Sequence, residues 1–201
     1  MTAFGASKTS AFSLLELLIV MALMIILTVM MFGFGSEEHQ KTQKERCADN
    51  LQKIFLSMQI YANDFGKFPL NTNAHTSEQV LGVLVPRYSS DTSIFVCPGG
   101  RDKDIPAGMP LGKNKISYAY YMGRDTNSQP GDFLMSDRQI DTSPKGIGDR
   151  VFSLNGKPPG NNHHKYGGNF LFCDGSVQTI PPIATFSLAF SNDVVLLNPK
   201  P

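Results

Sequence analysis

The feature that most constrains this chain is an apolar run close to its beginning, AFSLLELLIVMALMIILTVMMFGFG at residues 11–35. From Leu17 to Phe34, 18 consecutive residues carry no charge. That length suits a membrane-spanning helix and exceeds the roughly 7 to 15 apolar residues of a secretory signal. Because a helix satisfies its own backbone hydrogen bonds in lipid, we predict that this run spans a bilayer as a helix.

Length and charge limit what the rest of the chain does. The chain has 201 residues, of which 41% are hydrophobic, and its formal net charge is +1. This is enough for one domain with a real core besides the apolar run. A chain with so little net charge has no broad basic surface for nucleic acid, so no nucleic-acid partner is predicted.

Glu16 is the single carboxylate inside this apolar segment. A charged side chain costs roughly 2.5 to 3.5 kcal/mol at the centre of a membrane helix and less near its end. One interpretation is an interfacial residue that the positive end of the helix dipole tolerates. The other interpretation is a pairing with a cation. A free amino group on a neighbouring copy, made by cutting the chain before Phe12, would supply that cation.

The segment SAFSLLELLIVMALMIIL resembles the cleavage and methylation segment of type IV prepilins and type II secretion pseudopilins. In that family a short basic leader ends at a small residue, the mature chain begins with Phe, and Glu follows four residues later. The resemblance implies cleavage between Ala11 and Phe12, methylation of Phe12, and a role for Glu16 in assembly. Where this chain has Ala11, the family usually has Gly.

The resemblance also implies a function, a location and partners. The function is that of a structural subunit, not an enzyme, assembled into a type IV pilus or a type II secretion pseudopilus. The chain would cross the inner membrane once, with its C-terminal domain in the periplasm, and reach the cell surface or the pseudopilus after assembly. Implied partners are other pilin-like subunits in a homo- or hetero-oligomer, a prepilin peptidase, the inner-membrane assembly platform and the lipid bilayer.

A second function stays open beside the first. The chain would then be a membrane-anchored binding module of the cell envelope that does not polymerise. An envelope enzyme that uses Cys173 or a histidine metal site is the weakest hypothesis, because no sequence pattern orients a base or builds an oxyanion hole. No cofactor is predicted.

After Gly35 the sequence becomes polar and then acquires an apolar stripe at helical spacing. Its members are Cys47, Leu51, Ile54, Phe55, Met58, Tyr61 and Phe65. This spacing predicts an amphipathic helix that ends near Gly66, because Pro69 cannot continue it. We therefore predict a leader at residues 1–11, a transmembrane half-helix at 12–35, an amphipathic half-helix at 36–65 and a globular β-rich domain at 66–201.

Short apolar bursts between Gly and Pro residues indicate that this last domain is built from strands and loops. SIFVCP, ISYAYYMG and DFLMSD are predicted strands, and EQVLGVLVPRY is a predicted short helix. The predicted fold class is α+β and pilin-like: a long N-terminal helix packed on a small antiparallel β-sheet.

The clearest local signal is GNFLFCDGSVQTI, in which Asp174 and Gly175 separate two strand-like runs and predict a hairpin with a type I′ turn. His164 precedes Asp174 by nine intervening residues, so the chain also resembles prepilin-like proteins that carry a C-terminal H-x9-D-G pattern. We expect His164 to cap or stack on this hairpin. A metal site built from His163, His164 and an Asp is a weaker interpretation, and no metal is predicted.

Two further groups of residues are candidate sites by residue type. Four acids are spread too widely for a calcium loop, and calcium is not predicted: Asp132, Asp137, Asp141 and Asp149. Asp137 is interpreted as a strand-end or turn residue. The three cysteines, Cys47, Cys97 and Cys173, allow at most one bridge within the chain, and the sequence does not choose between the pairings.

Overall fold

The structure is a computed structural model, and it divides the chain into two compact units, Met1–His39 and Gln40–Pro201. The described residues are 13–33, 35–140, 143–155, 157, 160, 162–163, 166–190 and 193–201.

Helix α1, Leu14–Gly33, forms most of the first unit. It begins where the N–H groups of Glu16 and Leu17 donate to the carbonyl of Ser13 at 3.0 and 3.2 Å. Its window Leu14–Met31 has a mean hydropathy of 2.8, and none of that window is buried in the structure. One helix of the described chain is therefore long and apolar enough to cross a membrane, as the sequence predicts.

Helix α2, Gly35–Phe65, carries the predicted apolar stripe into the second unit. Cys47, Leu51, Ile54 and Met58 are fully buried, at spacings of four, three and four residues. The buried stripe is shorter than predicted, because its last member, Phe65, is 53% exposed. The helix ends at the predicted place: the next residue has φ +73, and its N–H donates to the carbonyl of Ala62 at 2.7 Å.

Short helices follow α2, and one of them corrects the sequence prediction. EQVLGVLVPRY is helical at its start, as predicted: helix α3, Ser77–Leu81, begins one residue before it, and a 3-10 turn follows at Gly82–Leu84. SIFVCP was predicted as a strand and is instead a 3-10 turn at Ser93–Phe95. The reason is local: the N–H and hydroxyl of Ser93 both donate to the carboxylate of Asp91, at 3.0 and 2.6 Å, which folds the chain back on itself.

Five antiparallel strands form one sheet in the order β4-β3-β2-β1-β5. The strands are β1 Tyr118–Met122, β2 Phe133–Asp137, β3 Gly168–Phe172, β4 Val177–Ile180 and β5 Val195–Leu197. The two edge strands are the shortest, with four residues in β4 and three in β5. The fold class is therefore α+β, with an N-terminal apolar helix and an antiparallel sheet.

Both faces of this sheet are covered. Tyr118 and Tyr120 of β1 belong to the core cluster that contains the buried stripe of α2. The residues that alternate with them, Ala119 and Tyr121, belong to a second cluster on the opposite face, with Phe152. Because loop residues cover the second face, all five residues of β1 are buried, although the strand belongs to an antiparallel sheet.

Candidate functional site

A group of buried polar side chains lies in the second unit where β2 ends. We call it the buried polar cluster, and it consists of Asp137, Asn162, His163 and Asn169 together with the disulfide Cys47–Cys97. Its residues come from α2, from the loop after the Ser93–Phe95 turn, from β2, and from β3 and the loop before it. All of them are at most 3% exposed.

The carboxylate of Asp137 accepts three hydrogen bonds inside this cluster. Asn162 Nδ2 donates to its Oδ1 at 2.6 Å. The backbone N–H and the Nδ2 of Asn169 donate to its Oδ2 at 2.7 and 3.1 Å. A carboxylate removed from water requires such donors, so the two asparagines satisfy and orient the side chain of Asp137.

His163 lies between this carboxylate and the disulfide. Its Nε2 is 3.6 Å from Asp137 Oδ2 and 3.4 Å from Cys97 Sγ. Gly99 makes room for the ring, because a Cβ at this glycine would lie 2.4 Å from Nδ1 and 2.6 Å from Cε1 of His163. In the loop segment Cys97-Pro98-Gly99, Cys97 thus places its sulfur beside the imidazole of His163, and Gly99 leaves room for the ring.

The disulfide joins the two elements that form one side of the cluster. Cys47 on α2 and Cys97 after the Ser93–Phe95 turn are bridged across 50 residues of chain, with a Cα–Cα distance of 5.4 Å. Cys173 is the free thiol, and it is partly buried. Of the pairings that the sequence left open, the structure selects Cys47 with Cys97.

Lys44 is a basic neighbour of the cluster. Its Nζ donates to the carbonyl of Tyr166 at 2.8 Å, and its own carbonyl accepts from Asn169 Nδ2 at 3.0 Å. Burial lowers the pKa of Lys44, while the negative charge of Asp137 acts in the opposite direction. Asn169 of β3 therefore links α2, at the carbonyl of Lys44, to the end of β2, at the carboxylate of Asp137.

An open cavity of about 540 Å³ adjoins the disulfide from outside. Cys97 forms part of its wall, and charged side chains of both signs surround it: Arg46, Asp49, Lys53, Asp102 and Asp104. One of these acids is itself held in place, since Asp102 is paired with the buried guanidinium of Arg138 and lies 3.4 Å from Lys115 Nζ. The cavity is therefore a polar opening that is lined in part by Cys97, a residue that is itself only 1% exposed.

The Asp174-Gly175 segment forms the turn of the β3–β4 hairpin, but its geometry corrects the prediction. The N–H of Gly175 donates to the carbonyl of Phe172 at 3.0 Å, which makes Cys173 and Asp174 the central residues of the turn. Gly175 then follows at φ +85. This is the longer hairpin loop that places a left-handed Gly after the turn, and not a two-residue type I′ turn.

Local contacts explain the residue types in this turn. Asp174 Oδ1 accepts from the backbone N–H of Ser176 at 2.8 Å, and hydrogen bonds from Ser176 lower the pKa of Asp174. A Cβ at Gly175 would lie 2.6 Å from Phe55 Cε1 on α2. The Asp-Gly pair therefore closes the hairpin and allows it to approach the helix, which is a structural role.

The other predicted site residues lie apart from the buried polar cluster or outside the described residues. Ala11, Phe12 and His164 are outside them, as is Asp141. Glu16 is in the first turn of α1. Of the remaining acids, Asp132 binds Arg124 at 2.8 Å and Asp149 accepts from the N–H of Gly146 at 2.8 Å.

The sequence alone does not predict that these residues form a buried polar cluster. It placed Asp137 at a strand end, which is where the structure has it, but gave it no partners. Its donors come from 25 and 32 residues further along the chain. The available signal was the position of Asp137 directly after FLMS, because an acid at the end of a buried strand requires donors that the local sequence lacks.

Comparison of this chain with protein-family models, with curated proteins and with solved structures found no match.

Proposed function

We propose that this chain is a prepilin-like structural subunit. A prepilin peptidase removes residues 1–11, Phe12 becomes the methylated N-terminus, and α1 holds the chain in the inner membrane with the second unit in the periplasm. From there it assembles with other pilin-like subunits into a type IV pilus or a type II secretion pseudopilus. The role is structural and not enzymatic.

The observation that carries the proposal is that α1 is apolar on every side and that no residue of its Leu14–Met31 window is buried in the chain. A surface helix of a soluble protein has one apolar stripe and one polar face. Exposed fractions along α1 range from 42% at Val20 to 82% at Leu14 and Met31, so no face is covered. A bilayer covers such a helix in the unassembled state, and apolar helices of other subunits cover it in a fibre.

The position of Glu16 supports a fibre rather than a simple anchor. Lying in the first turn of α1, it is the only charged residue of that helix. In a simple anchor, a carboxylate at this position interacts only with the positive end of the helix dipole, which contributes about 0.3 to 1 kcal/mol. In a bundle of processed subunits, the new α-amine of one copy pairs with Glu16 of the next and sets their axial register. Loss of one partner from such a desolvated pair is costly.

The second unit supports the role of a surface domain. It has its own core, built from the stripe of α2 and the inner face of the sheet, with a second cluster on the outer face. The disulfide Cys47–Cys97 lies in this unit and suits an oxidising compartment outside the cytoplasm.

The test is production of the chain in cells that have a prepilin peptidase and an assembly platform. Mass spectrometry of the mature N-terminus should show a chain that begins at Phe12 and carries one added methyl group. A chain that keeps residues 1–11 contradicts the proposal.

A matched pair of variants tests the role of Glu16. Glu16→Gln should remain in the membrane fraction but be lost from sheared fibres, with a decrease of at least about tenfold. Glu45→Gln, on an exposed position of α2, should assemble like the natural chain. Equal assembly of both variants contradicts the role of Glu16.

A membrane-anchored binding module is the second candidate, and the cavity beside Cys97 is the observation that favours it. Its wall holds Arg46, Lys53 and Asp104, which suit a small zwitterionic or charged ligand. For this function, Glu16→Gln leaves binding and membrane location unchanged, and the natural chain forms no fibres.

A further inference from the structure

Four possible metal ligands of the buried polar cluster converge on one point. They are Cys47, Cys97, Asp137 and His163, here called the four-residue set. Their ligating atoms all lie within 4.8 Å of one another, and all four residues are buried. Three of them come from loops or strand ends and one from a helix, so the fold brings them together from distant parts of the sequence.

The orientation of the imidazole distinguishes a metal site from a catalytic triad. In a triad, the nucleophile and the carboxylate face opposite nitrogens of the histidine. In this structure the same nitrogen, His163 Nε2, faces both Cys97 Sγ at 3.4 Å and Asp137 Oδ2 at 3.6 Å. Ligands around a metal ion share a common centre in this way.

These distances match tetrahedral zinc. With Zn–S near 2.3 Å and Zn–N or Zn–O near 2.0 to 2.1 Å, sulfur and nitrogen lie roughly 3.6 Å apart, and nitrogen and oxygen roughly 3.4 Å. Two of the separations in the four-residue set therefore already suit the ion. The two sulfurs are bonded to each other, and in a zinc site they would lie roughly 3.8 Å apart.

The surroundings orient the ligands as metal sites require. Asn162 and Asn169 donate to the carboxylate of Asp137 from both sides, and Gly99 packs against the ring of His163. Such outer contacts fix ligand geometry and are worth about 10- to 100-fold in affinity. Cys97, one of the four ligands, also lines the open cavity of about 540 Å³.

We propose that the dithiol form of this chain binds one zinc ion through the four-residue set, and that this site and the disulfide are alternative states of the same residues. When a phosphine reduces the bridge, the disulfide takes up two electrons and two protons, and the phosphine gains an oxygen from water. Zinc then displaces the two thiol protons. The resulting Zn²⁺ complex has two thiolates, one imidazole and one carboxylate.

Cobalt(II) is the probe, because tetrahedral Co²⁺ bound to thiolate has intense visible and near-ultraviolet bands. The full chain is purified in detergent and titrated with CoCl₂ without oxygen, before and after reduction with a phosphine. The reduced chain should bind one equivalent, with tetrahedral and thiolate bands that ZnCl₂ abolishes. A reduced chain without these bands, or an oxidised chain with the same bands, overturns the proposal.

Thermal unfolding gives a second measurement that needs no variant. Zinc at about 100 times its Kd should raise the Tm of the reduced chain by roughly 5 to 10 °C and leave that of the oxidised chain unchanged. An equal shift in both forms, or none in the reduced form, contradicts a site that requires the two thiolates.

Variants then identify the ligands. Cys173→Ala removes the thiol outside the set and should keep the cobalt spectrum. Asp137→Asn keeps the shape of the side chain and should weaken cobalt binding by at least about tenfold, with a folded chain verified by circular dichroism. Loss of the thiolate band in Cys173→Ala, or unchanged affinity in a folded Asp137→Asn chain, overturns the assignment. These outcomes do not depend on processing or fibre assembly, so they test this site separately from the proposed subunit function.

Discussion

The two long helices of this chain differ in how the described structure covers their apolar side chains. Along α1 the apolar residues face every direction and are exposed, whereas along α2 they form one stripe whose members Cys47, Leu51, Ile54 and Met58 are fully buried. The Leu14–Met31 window of α1 has a mean hydropathy of 2.8, as a helix buried in a protein core could have, yet none of this window is buried in the described structure. Hydrophobicity alone therefore does not indicate what covers a helix, whereas the angular distribution of the apolar residues does.

The contrast also separates two sources of stability. For α2, burial in the second unit contributes to the free energy of unfolding of that unit. For α1, none of the Leu14–Met31 window is buried in the described chain, so under the proposed function its stabilising contacts would come from lipid or from other subunits. Substitutions should therefore affect the unfolding of the second unit in α2 and assembly or membrane insertion in α1.

The largest effect on the second unit is expected from loss of the disulfide that holds α2. Replacement of both Cys47 and Cys97 by Ala should lower the free energy of unfolding by about 4 kcal/mol, because the bridge closes a loop of 50 residues. Denaturant unfolding of the oxidised, metal-free chain in detergent measures this change. Cys173→Ala is the control, with a loss below about 1.5 kcal/mol; a similar loss in both would contradict a special role for the bridge.

A cavity in the buried stripe should have the next largest effect. Leu51→Ala should lower the free energy of unfolding by about 3 kcal/mol, since Leu51 has no exposed surface. Leu56→Ala on the exposed side of α2 and Leu23→Ala in α1 should change it by less than about 0.5 kcal/mol. If Leu23→Ala destabilised the second unit as much as Leu51→Ala, the contrast between the helices would be wrong.

The contact between the hairpin and α2 can be separated from backbone strain with a pair of glycines. Gly175→Ala should cost about 2 kcal/mol, because the residue has φ +85 and its new Cβ meets Phe55. Gly108→Ala has a similar φ of +76 with no atom near the new Cβ, and should cost about 1 kcal/mol. If Gly175→Ala and Gly108→Ala lowered the free energy of unfolding equally, the close contact between the hairpin and Phe55 would not account for any part of the cost of Gly175→Ala.

Chemical reactivity, and not the free energy of unfolding, is the property that should report the environment of Cys173. Burial raises the pKa of the Cys173 thiol from its ordinary value of 9.0 to about 11. Near neutral pH the thiolate fraction is then about 100-fold lower than for an ordinary cysteine, so alkylation by iodoacetamide should be slow. The rate should increase about tenfold per pH unit up to about pH 10, and denaturant should remove the difference. Rapid alkylation of the folded chain at neutral pH would disagree with this environment.

Patterns within one element allowed much of the fold to be predicted. The apolar run predicts α1, the stripe with Gly66 and Pro69 predicts α2 and its end, and alternation predicts β1. The strand predicted for SIFVCP is wrong because its apolar burst is also compatible with a turn. The hydrogen bonds that Ser93 donates to Asp91 stabilise the turn in place of a strand.

The candidate site is less visible in the sequence, because its contacts join residues far apart along the chain. The H-x9-D-G pattern directed attention to His164, which lies outside the described residues, while its neighbour His163 is buried beside Asp137. No spacing rule links Cys97 to a histidine 66 residues later. Only the antiparallel pairing of β2 with β3 brings Asp137 to Asn169 and thus completes the arrangement.

The short edge strands β4 and β5 have a consequence for crowded conditions. With four and three residues, they offer few free backbone groups to the sheet of a neighbouring molecule. At high concentration, copies of the second unit therefore have little sheet edge through which to form continuous intermolecular sheets. The short edge strands thus disfavour aggregation of the second unit through its sheet.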